Sequence, residues 1–262
     1  MSPVVRLDLA SHPGRVFVLG DLHGMAHAFA SLLARAGFDT ECDLVWSLGD
    51  LIDRGPYSER CLALLEQPWF RAIRGNHEQL MLDAVEDQGA WLQWMANGGD
   101  WSPGYPWDAP QVRSRLAALP WACQLTTGVG RIGLIHADVA PAHDWPQWLA
   151  ALEQDRGEAR QTALWSRRSA NQAARGLPGR QVCGVDLVLV GHSIVTKCLQ
   201  WGNFWFMDTG AVISDGRSAA LSMLEVHPGL KLWSEPTAQD PVASRWWSGQ
   251  LERTSAALAR AS

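Results

Sequence analysis

The sequence has no basic excess: 22 Lys and Arg stand against 27 Asp and Glu, a net charge of −5. Domains that bind nucleic acid usually carry a basic stripe that displaces phosphate counterions, so no nucleic-acid partner is expected. An anionic ligand would have to meet a local focus of positive charge, from metal ions and a few arginines. Cysteine is sparse too. Cys42, Cys61, Cys123, Cys183 and Cys198 are odd in number and no two lie within metal-ligand spacing, which points to reduced thiols of a cytoplasmic protein rather than a disulfide framework. The opening Met1-Ser2-Pro3-Val4-Val5-Arg6 lacks the basic-then-apolar layout of a secretory signal. No apolar run approaches the roughly 18–20 residues that span a bilayer, so no membrane association is expected. No segment reads as a linker and nothing demands an obligate partner. One soluble domain over residues 1–262 is the expectation.

What is present suits a packed globular chain: 47% of residues are hydrophobic and 19% charged. The fifteen tryptophans fall between Trp46 and Trp247 without a fixed period, which argues against a repeat architecture. Most are assigned to packing, including those of the Trp-rich stretch 91–121, for which a substrate groove is the alternative.

The first third alternates strands and helices. Arg15-Val16-Phe17-Val18-Leu19 is a short apolar run ending at Gly20 and suits a buried strand. Met25, Phe29, Leu32, Leu33 and Ala36 recur on one face of a helix. A second strand follows at Asp43–Leu48, a helix around Cys61–Leu65, a strand at Phe70–Ile73, and a helix from about Gln79 that turns Leu80, Met81, Ala84 and Val85 inward. Residues 88–130, rich in Trp, Gly, Pro and Asp, break this rhythm and read as helices joined by irregular loops. Strand signals return at Ile132–Ile135, Val185–Val190, Phe204–Met207 and Ala219–Val226. Residues 234–262 hold no strand signal, and Leu251–Ala261 reads as a short helix or a disordered end.

Polar residues follow successive strands, each beside a glycine. In open α/β sheets the functional crevice lies at the carboxyl ends of the strands, and glycine lets the backbone turn sharply there. Five segments carry the candidate chemistry: Gly20-Asp21-Leu22-His23-Gly24, Gly49-Asp50-Leu51-Ile52-Asp53-Arg54-Gly55, Gly75-Asn76-His77-Glu78, His136-Ala137-Asp138 and Gly191-His192-Ser193. A lone Asp or His is more often a cap or a satisfied core group than a ligand, and one Gly-Asp-x-His-Gly is a weak signal. All five together are specific. Three imidazoles, two carboxylates and an amide oxygen suit borderline divalent ions such as Mn²⁺, Fe, Zn²⁺ or Co²⁺; the set is too nitrogen-rich for Ca²⁺ and lacks thiolates. A carboxylate bridging two such ions would hold them about 3.5–4 Å apart, the spacing that activates a water and clamps a phosphoryl group.

In order and spacing these segments resemble the calcineurin-like metallophosphoesterases, and within them the bacterial and phage serine/threonine protein phosphatases, over about residues 15–225. The likeness extends to Pro68–Arg74 leading into Gly75, to Asn97-Gly98-Gly99-Asp100-Trp101 and to Asp208-Thr209-Gly210-Ala211-Val212. The resemblance implies a four-layer α/β/β/α sandwich with a dimetal site on strand-end loops. It implies that Asp21 and His23 ligate a first metal, that Asp50 bridges, and that Asn76, His136 and His192 complete the second site, Asn76 also facing the substrate phosphate. It makes His77 the general acid, oriented by Asp53, and Arg54 a phosphate-binding arginine. A second phosphate-binding arginine matches Arg167 in Trp165-Ser166-Arg167, with Arg168 adjacent. The reaction implied is direct hydrolysis of phosphoserine or phosphothreonine in proteins by a metal-bound hydroxide, without a phosphoenzyme. Two divalent ions, Mn²⁺ foremost, are the implied cofactors and phosphoproteins the implied partners; phosphotyrosine and aryl phosphates would be secondary substrates.

Departures from neighbouring branches narrow the reading. Many metallophosphoesterases end in Gly-His-x-His, whereas Gly191-His192-Ser193-Ile194 has isoleucine at the last place, as protein phosphatases also lack that histidine. Symmetrical diadenosine tetraphosphate hydrolases share many motifs, including one like Arg54-Gly55-Pro56, but generally have alanine where Asp53 stands and aspartate where Glu78 stands. Hydrolysis of dinucleoside polyphosphates is the alternative. A phosphopeptide-binding module without turnover would lack a ligand or the acid, and neither is missing. His12, His27, His143 and His227 lie outside the motifs and are read as surface or packing groups. Asp208 reads as a turn cap, with support of a ligand histidine as the other reading, and Asp138 is open between the same two.

Overall fold

A computed structural model of the chain describes residues 2–213 and 219–237. Strand β1 (Val4–Asp8) is followed by β2 (Val16–Leu19), α1 (Ala26–Ala36), β3 (Leu44–Ser47), α2 (Ser58–Ala63), β4 (Phe70–Ala72) and α3 (Asn76–Asp83). Helices α4 (Gln88–Ala96) and α5 (Pro110–Ala117) lead into β5 (Ala122–Thr127) and β6 (Gly130–Ile135). Then come α6 (Trp145–Glu153), α7 (Gly157–Trp165), α8 (Arg168–Ala174), β7 (Leu187–Val190), β8 (Leu199–Trp201), β9 (Phe204–Phe206), β10 (Ala220–His227) and β11 (Lys231–Pro236).

The strands form two sheets, one of five in the order β11-β10-β2-β3-β4 and one of six in the order β1-β5-β6-β7-β9-β8. Strands β2, β3 and β4 run parallel, as do β6, β7 and β9. Strand alternation divides the apolar side chains between two faces. Val16, Val18 and Trp46 of the first sheet meet Leu125, Ile132, Leu134 and Leu189 of the second in a core between the sheets. Phe17, Leu19 and Val45 face the other way, onto Phe29, Leu32 and Leu33 of α1. Ile135, Val188 and Val190 likewise face Trp148, Leu149 and Leu152 of α6. The result is four layers, helix–sheet–sheet–helix, as the resemblance implied.

Helix α1 ends where Gly37 takes a left-handed conformation at φ 59° and donates back to the last turn. The expected helix at Gln79 begins earlier, at Asn76, so Asn76 and His77 sit in its first turn; it ends at Asp83, before Val85. Four strands carry no readable run. Residues of β1 are mostly exposed at a sheet edge, β5 lies inside the Trp- and Pro-rich region, and β8 is three residues long. Strand β11 corrects the expectation that residues 234–262 lack a strand, since Ser234, Glu235 and Pro236 pair with β10. Its polar composition suits an edge strand, with Glu235 paired to Arg35. The helix expected over Leu251–Ala261 lies outside the described residues. All five cysteines are free, and no described helix is long and apolar enough to cross a membrane.

Candidate active site

Six parallel strands, three from each sheet, deliver the candidate residues at their carboxyl ends. Asp21 follows β2, Asp50 follows β3, Asn76 follows β4, His136 follows β6, His192 follows β7 and Asp208 follows β9. The turns that follow are tight. His23, Asp50, Asp53, Arg54 and His192 all have positive φ, at 41°, 49°, 74°, 67° and 61°. Such backbone costs a non-glycine residue of order 1 kcal/mol or more, and its clustering marks a site held in place by its surroundings. A Cβ on Gly191 would stand 1.9 Å from Asp21 Oδ1, so only glycine lets the two sheets approach here.

Backbone and side chain lace the ends together. Leu22 and His23 N–H both donate to the Asp50 carbonyl, and His192 N–H donates to Asp21 Oδ2 at 2.9 Å across the two sheets. Glu78 Oε2 accepts the N–H groups of Asp50 and Gly75, and Oε1 accepts that of Leu51.

The hydrogen bonds fix the imidazole tautomers. His23 Nδ1 lies 2.9 Å from the Ile52 carbonyl and His136 Nδ1 lies 2.8 Å from the Leu48 carbonyl. A carbonyl only accepts, so each Nδ1 carries the proton and each Nε2 turns a lone pair inward, the arrangement typical of metal-ligating histidine. His136 Nε2 then faces Asn76 Oδ1 at 2.9 Å, acceptor against acceptor, and His192 Nδ1 lies 2.9 Å from the same oxygen. Asp21 Oδ1 is buried without a partner. Converging acceptors and an orphaned carboxylate oxygen are unfavourable alone and favourable around cations, so these residues fit a metal centre. Two groups of three have donor atoms within 4.8 Å of one another, His23–Asp50–His77 and Asp50–His136–His192. Asp50 belongs to both, as a bridging carboxylate must; the first group takes in His77, while the expected ligand Asp21 falls in neither.

Charge states agree with that fit. Burial, with Asp50 only partly opposing it, takes His23 down to about 3; burial and neighbouring His136 take His192 to about 3 as well. Burial lowers His136 too. Neutral imidazoles are the ligand form. Burial opposes ionisation of Asp50, but His136, His77 and His23 outweigh it and hold the carboxyl well below its usual range. Asp21 moves the other way, raised by burial and then by Asp208 and Asp50. Burial and Asp50 push Glu78 up to about 7.

His77 differs from the other histidines. Its Nδ1 is 2.6 Å from Asp53 Oδ2, and Nε2 is buried without a hydrogen-bond partner, 3.9 Å from Asp50 Oδ2. Burial works against its protonated form, yet Asp50 and Asp53 together raise its pKa. The exposed Arg54 places Nη1 2.9 Å from His23 Nε2. Arg167 Nη1 donates to the His192 carbonyl at 2.6 Å, whereas Arg168 opens α8 and its charge is felt at Arg180 rather than among the histidines. Of the two arginines, Arg167 is the one at the site.

Asp138 accepts from Ser166 Oγ, Ser169 N and Ser169 Oγ, fixing the segment that presents Arg167. Asp208 Oδ1 accepts Gly210 N–H, a turn cap. His12, His27, His143 and His227 lie away from the cluster; His27 packs against Tyr57 and His143 against Trp148. Trp94 and Trp121 are buried and Trp101 and Trp107 pack against the core, as the packing reading of residues 91–121 expects, and Trp94 and Trp101 also donate indole N–H to Asp53. Only the donor capacity of tryptophan beside the Asn97–Trp101 motif could have signalled them.

Comparison with known proteins agrees. The calcineurin-like phosphoesterase family profile matches residues 14–195. Serine/threonine-protein phosphatase 1 of Salmonella typhimurium is 36% identical over 75% of this chain and 87% of its own length. Serine/threonine-protein phosphatase 2 of Escherichia coli is 31% identical over 77% of this chain and 90% of its own. A symmetrical bis(5'-nucleosyl)-tetraphosphatase of Glaesserella parasuis reaches 38%, but over 27% of this chain and 26% of its own. Among solved structures, a serine/threonine phosphatase from Saccharomyces cerevisiae superposes with a TM-score of 0.62 at 16% identity, covering 92% of this chain and 85% of that one. Motif order, four-layer fold and converging ligands therefore have one explanation: the chain is an enzyme of the calcineurin-like phosphoesterase family.

Proposed function

We propose that the protein is a serine/threonine protein phosphatase that hydrolyses phosphomonoesters by direct attack of water on phosphorus. The observation that carries this is the Asp53–His77 pair, 2.6 Å apart, with His77 Nε2 buried and free of a hydrogen-bond partner beside Asp50. Asp21, His23, Asp50, Asn76, His136 and His192 would hold two divalent ions, with Mn²⁺ the best match to mixed imidazole and carboxylate donors. Such ions supply a water of lowered pKa and positive charge beside the phosphoryl oxygens. Arg54, in the loop after β3, and Arg167, between α7 and α8, lie against His23 and His192 and would grip the phosphate oxygens as planar, always-charged donors, with Asn76 beside them. As the new P–O bond forms and the serine or threonine C–O–P bridge breaks at phosphorus, the proton on His77 Nε2 passes to the departing alkoxide. Asp53 keeps Nδ1–H in place and favours the imidazolium form.

This reading takes the chain as one catalytic domain acting in the cytoplasm on phosphoproteins. Its long matches to bacterial protein phosphatases support it, against only partial matches to tetraphosphatases. The deciding assay measures turnover of a phosphoserine peptide and of diadenosine tetraphosphate side by side with Mn²⁺. The peptide should have the higher kcat/KM. A preference of about a hundredfold for the dinucleotide, some 2.7 kcal/mol in transition-state binding, would overturn the proposal in favour of the hydrolase of dinucleoside polyphosphates.

A further inference from the structure

The carboxylate of Asp53 is fully buried and receives three donors. His77 Nδ1 meets Oδ2 at 2.6 Å, Trp101 Nε1 meets Oδ1 at 2.7 Å, and Trp94 Nε1 straddles both oxygens at 3.1 and 3.0 Å. The convergence is specific. The indole N–H groups of Trp46, Trp148, Trp205 and Trp233 are buried with no hydrogen-bond partner, and those of Trp145 and Trp201 meet an amide oxygen and a main-chain carbonyl, whereas Trp94 and Trp101 share one carboxylate.

The segment carrying the two indoles is shaped to reach Asp53. Helix α4 is capped by Asp87, whose side chain accepts Ala90 N–H, and it ends at Asn97. Gly98 then takes φ 110° and its carbonyl accepts Arg54 N–H at 3.2 Å; a Cβ there would stand 2.8 Å from Arg54 N. A Cβ on Gly99 would stand 2.8 Å from the Trp94 ring. The backbone can fold Trp101 back beside Trp94 only because both positions lack a side chain. The rings meet nearly at right angles with centroids 6.3 Å apart.

A carboxylate can rotate about its Cβ–Cγ bond. Donors on Oδ1 and Oδ2 from different directions, with a third across the pair, fix its plane. The carboxylate plane in turn sets the direction of the bond to His77 Nδ1, and so the aim of the ring. We propose that Trp94 and Trp101 are positioning residues: through Asp53, their indole N–H groups aim His77 Nε2 at the oxygen that leaves phosphorus. This rests on His77 being the acid of the proposed reaction.

The test substitutes Trp101→Phe, which keeps a half-buried aromatic ring and removes the donor. Because Trp94 is fully buried, Trp94→Phe serves as the second variant. Each is compared with wild type and His77→Asn on a phosphoserine peptide and on p-nitrophenyl phosphate, with bound metal measured throughout. A nitrophenolate needs little protonation, whereas a serine alkoxide needs much. Trp101→Phe should lower kcat on the peptide roughly tenfold, within the hundredfold that a misplacement of about 1 Å can cost. KM, metal content and p-nitrophenyl phosphate turnover should change by less than about threefold. In an Asp53→Ala background the same substitution should have no further effect on kcat, since the indole acts through that carboxylate. Equal losses on both substrates, or a full additive loss in the Asp53→Ala background, would overturn the inference. If His77→Asn itself shows no leaving-group bias, the acid role fails and takes this inference with it. If His77→Asn shows the bias and neither tryptophan variant does, only the inference falls.

Discussion

Glu78 Oε2 accepts the backbone N–H of Asp50 at 2.9 Å, so the loop after β3 is held by the helix after β4. The same carboxylate also takes Leu51 and Gly75 N–H, three main-chain donors on one buried side chain. Glu78→Gln would turn an amide N–H₂ toward one of those donors. The loss should be about 1–3 kcal/mol, the usual cost of an unsatisfied buried donor. Thermal unfolding of the metal-loaded protein checks it, and an unchanged Tm would remove Glu78 as the tie between these loops.

Chelation should abolish turnover, and Mn²⁺ should restore it better than Mg²⁺ because imidazole ligands favour the former. Asp50→Asn should be among the most damaging substitutions, since the Asp50 carboxylate lies within reach of the candidate ligand histidines of both groups. Full activity in protein shown metal-free by elemental analysis would sink the metal model.

Metal affinity should rise with pH between about 5 and 7. The sign follows from which groups hold protons in the metal-free site. His23 and His192, held near 3, have none to lose in this range. Burial, then the nearby charge of Asp50, keeps protons on Glu78 up to about 7 and on Asp208 up to about 6, although the Gly210 N–H favours ionised Asp208. A cation at Asp50 expels them, and it competes likewise for Asp21, which burial, Asp208 and Asp50 also raise, so binding tightens as these carboxyls ionise. Mn²⁺ titrations at pH 5.5 and 7.5 should show tighter binding at the higher pH, with protons released near pH 6. Flat affinity and no proton release would contradict this origin.

Arg54→Ala should raise KM for phosphorylated substrates about tenfold or more, through loss of a bidentate charged donor. Arg54→Lys should recover only part, lacking the planar fork. Arg167→Ala should behave like Arg54→Ala and Arg168→Ala should stay near wild type. Steady-state kinetics with a phosphoserine peptide decides it: the reverse order would move the phosphate contact by one residue.

The candidate ligand segments were legible because most place a polar residue beside a glycine at the end of an apolar run, as in Leu19-Gly20-Asp21 and Val190-Gly191-His192, and His136 directly follows the run Ile132–Ile135. Local pattern and site chemistry coincide there. Strand β11 was not legible, because Lys231, Ser234 and Glu235 leave no apolar alternation, and its pairing with β10 comes from tertiary context. The roles of Trp94 and Trp101 were hidden for another reason. Forty-one and forty-eight residues separate them from Asp53, and nothing local distinguishes an indole that donates to a carboxylate from one that fills a core.

The order of strands in the five-stranded sheet carries a consequence for synthesis. Strand β2 emerges early, yet its neighbour β10 is encoded by residues 220–227 and the last ligand candidate by His192. At roughly 5–20 residues per second, His192 follows Asp21 from the ribosome by on the order of ten to thirty seconds. During that interval Val16–Leu19, completely buried in the finished protein, has one strand edge without its pair. The nascent chain therefore cannot assemble the full ligand set until most of it has been made. Metal capture by the candidate ligands would be a late event in the protein's birth, and the early fragment is the form most in need of shielding from aggregation.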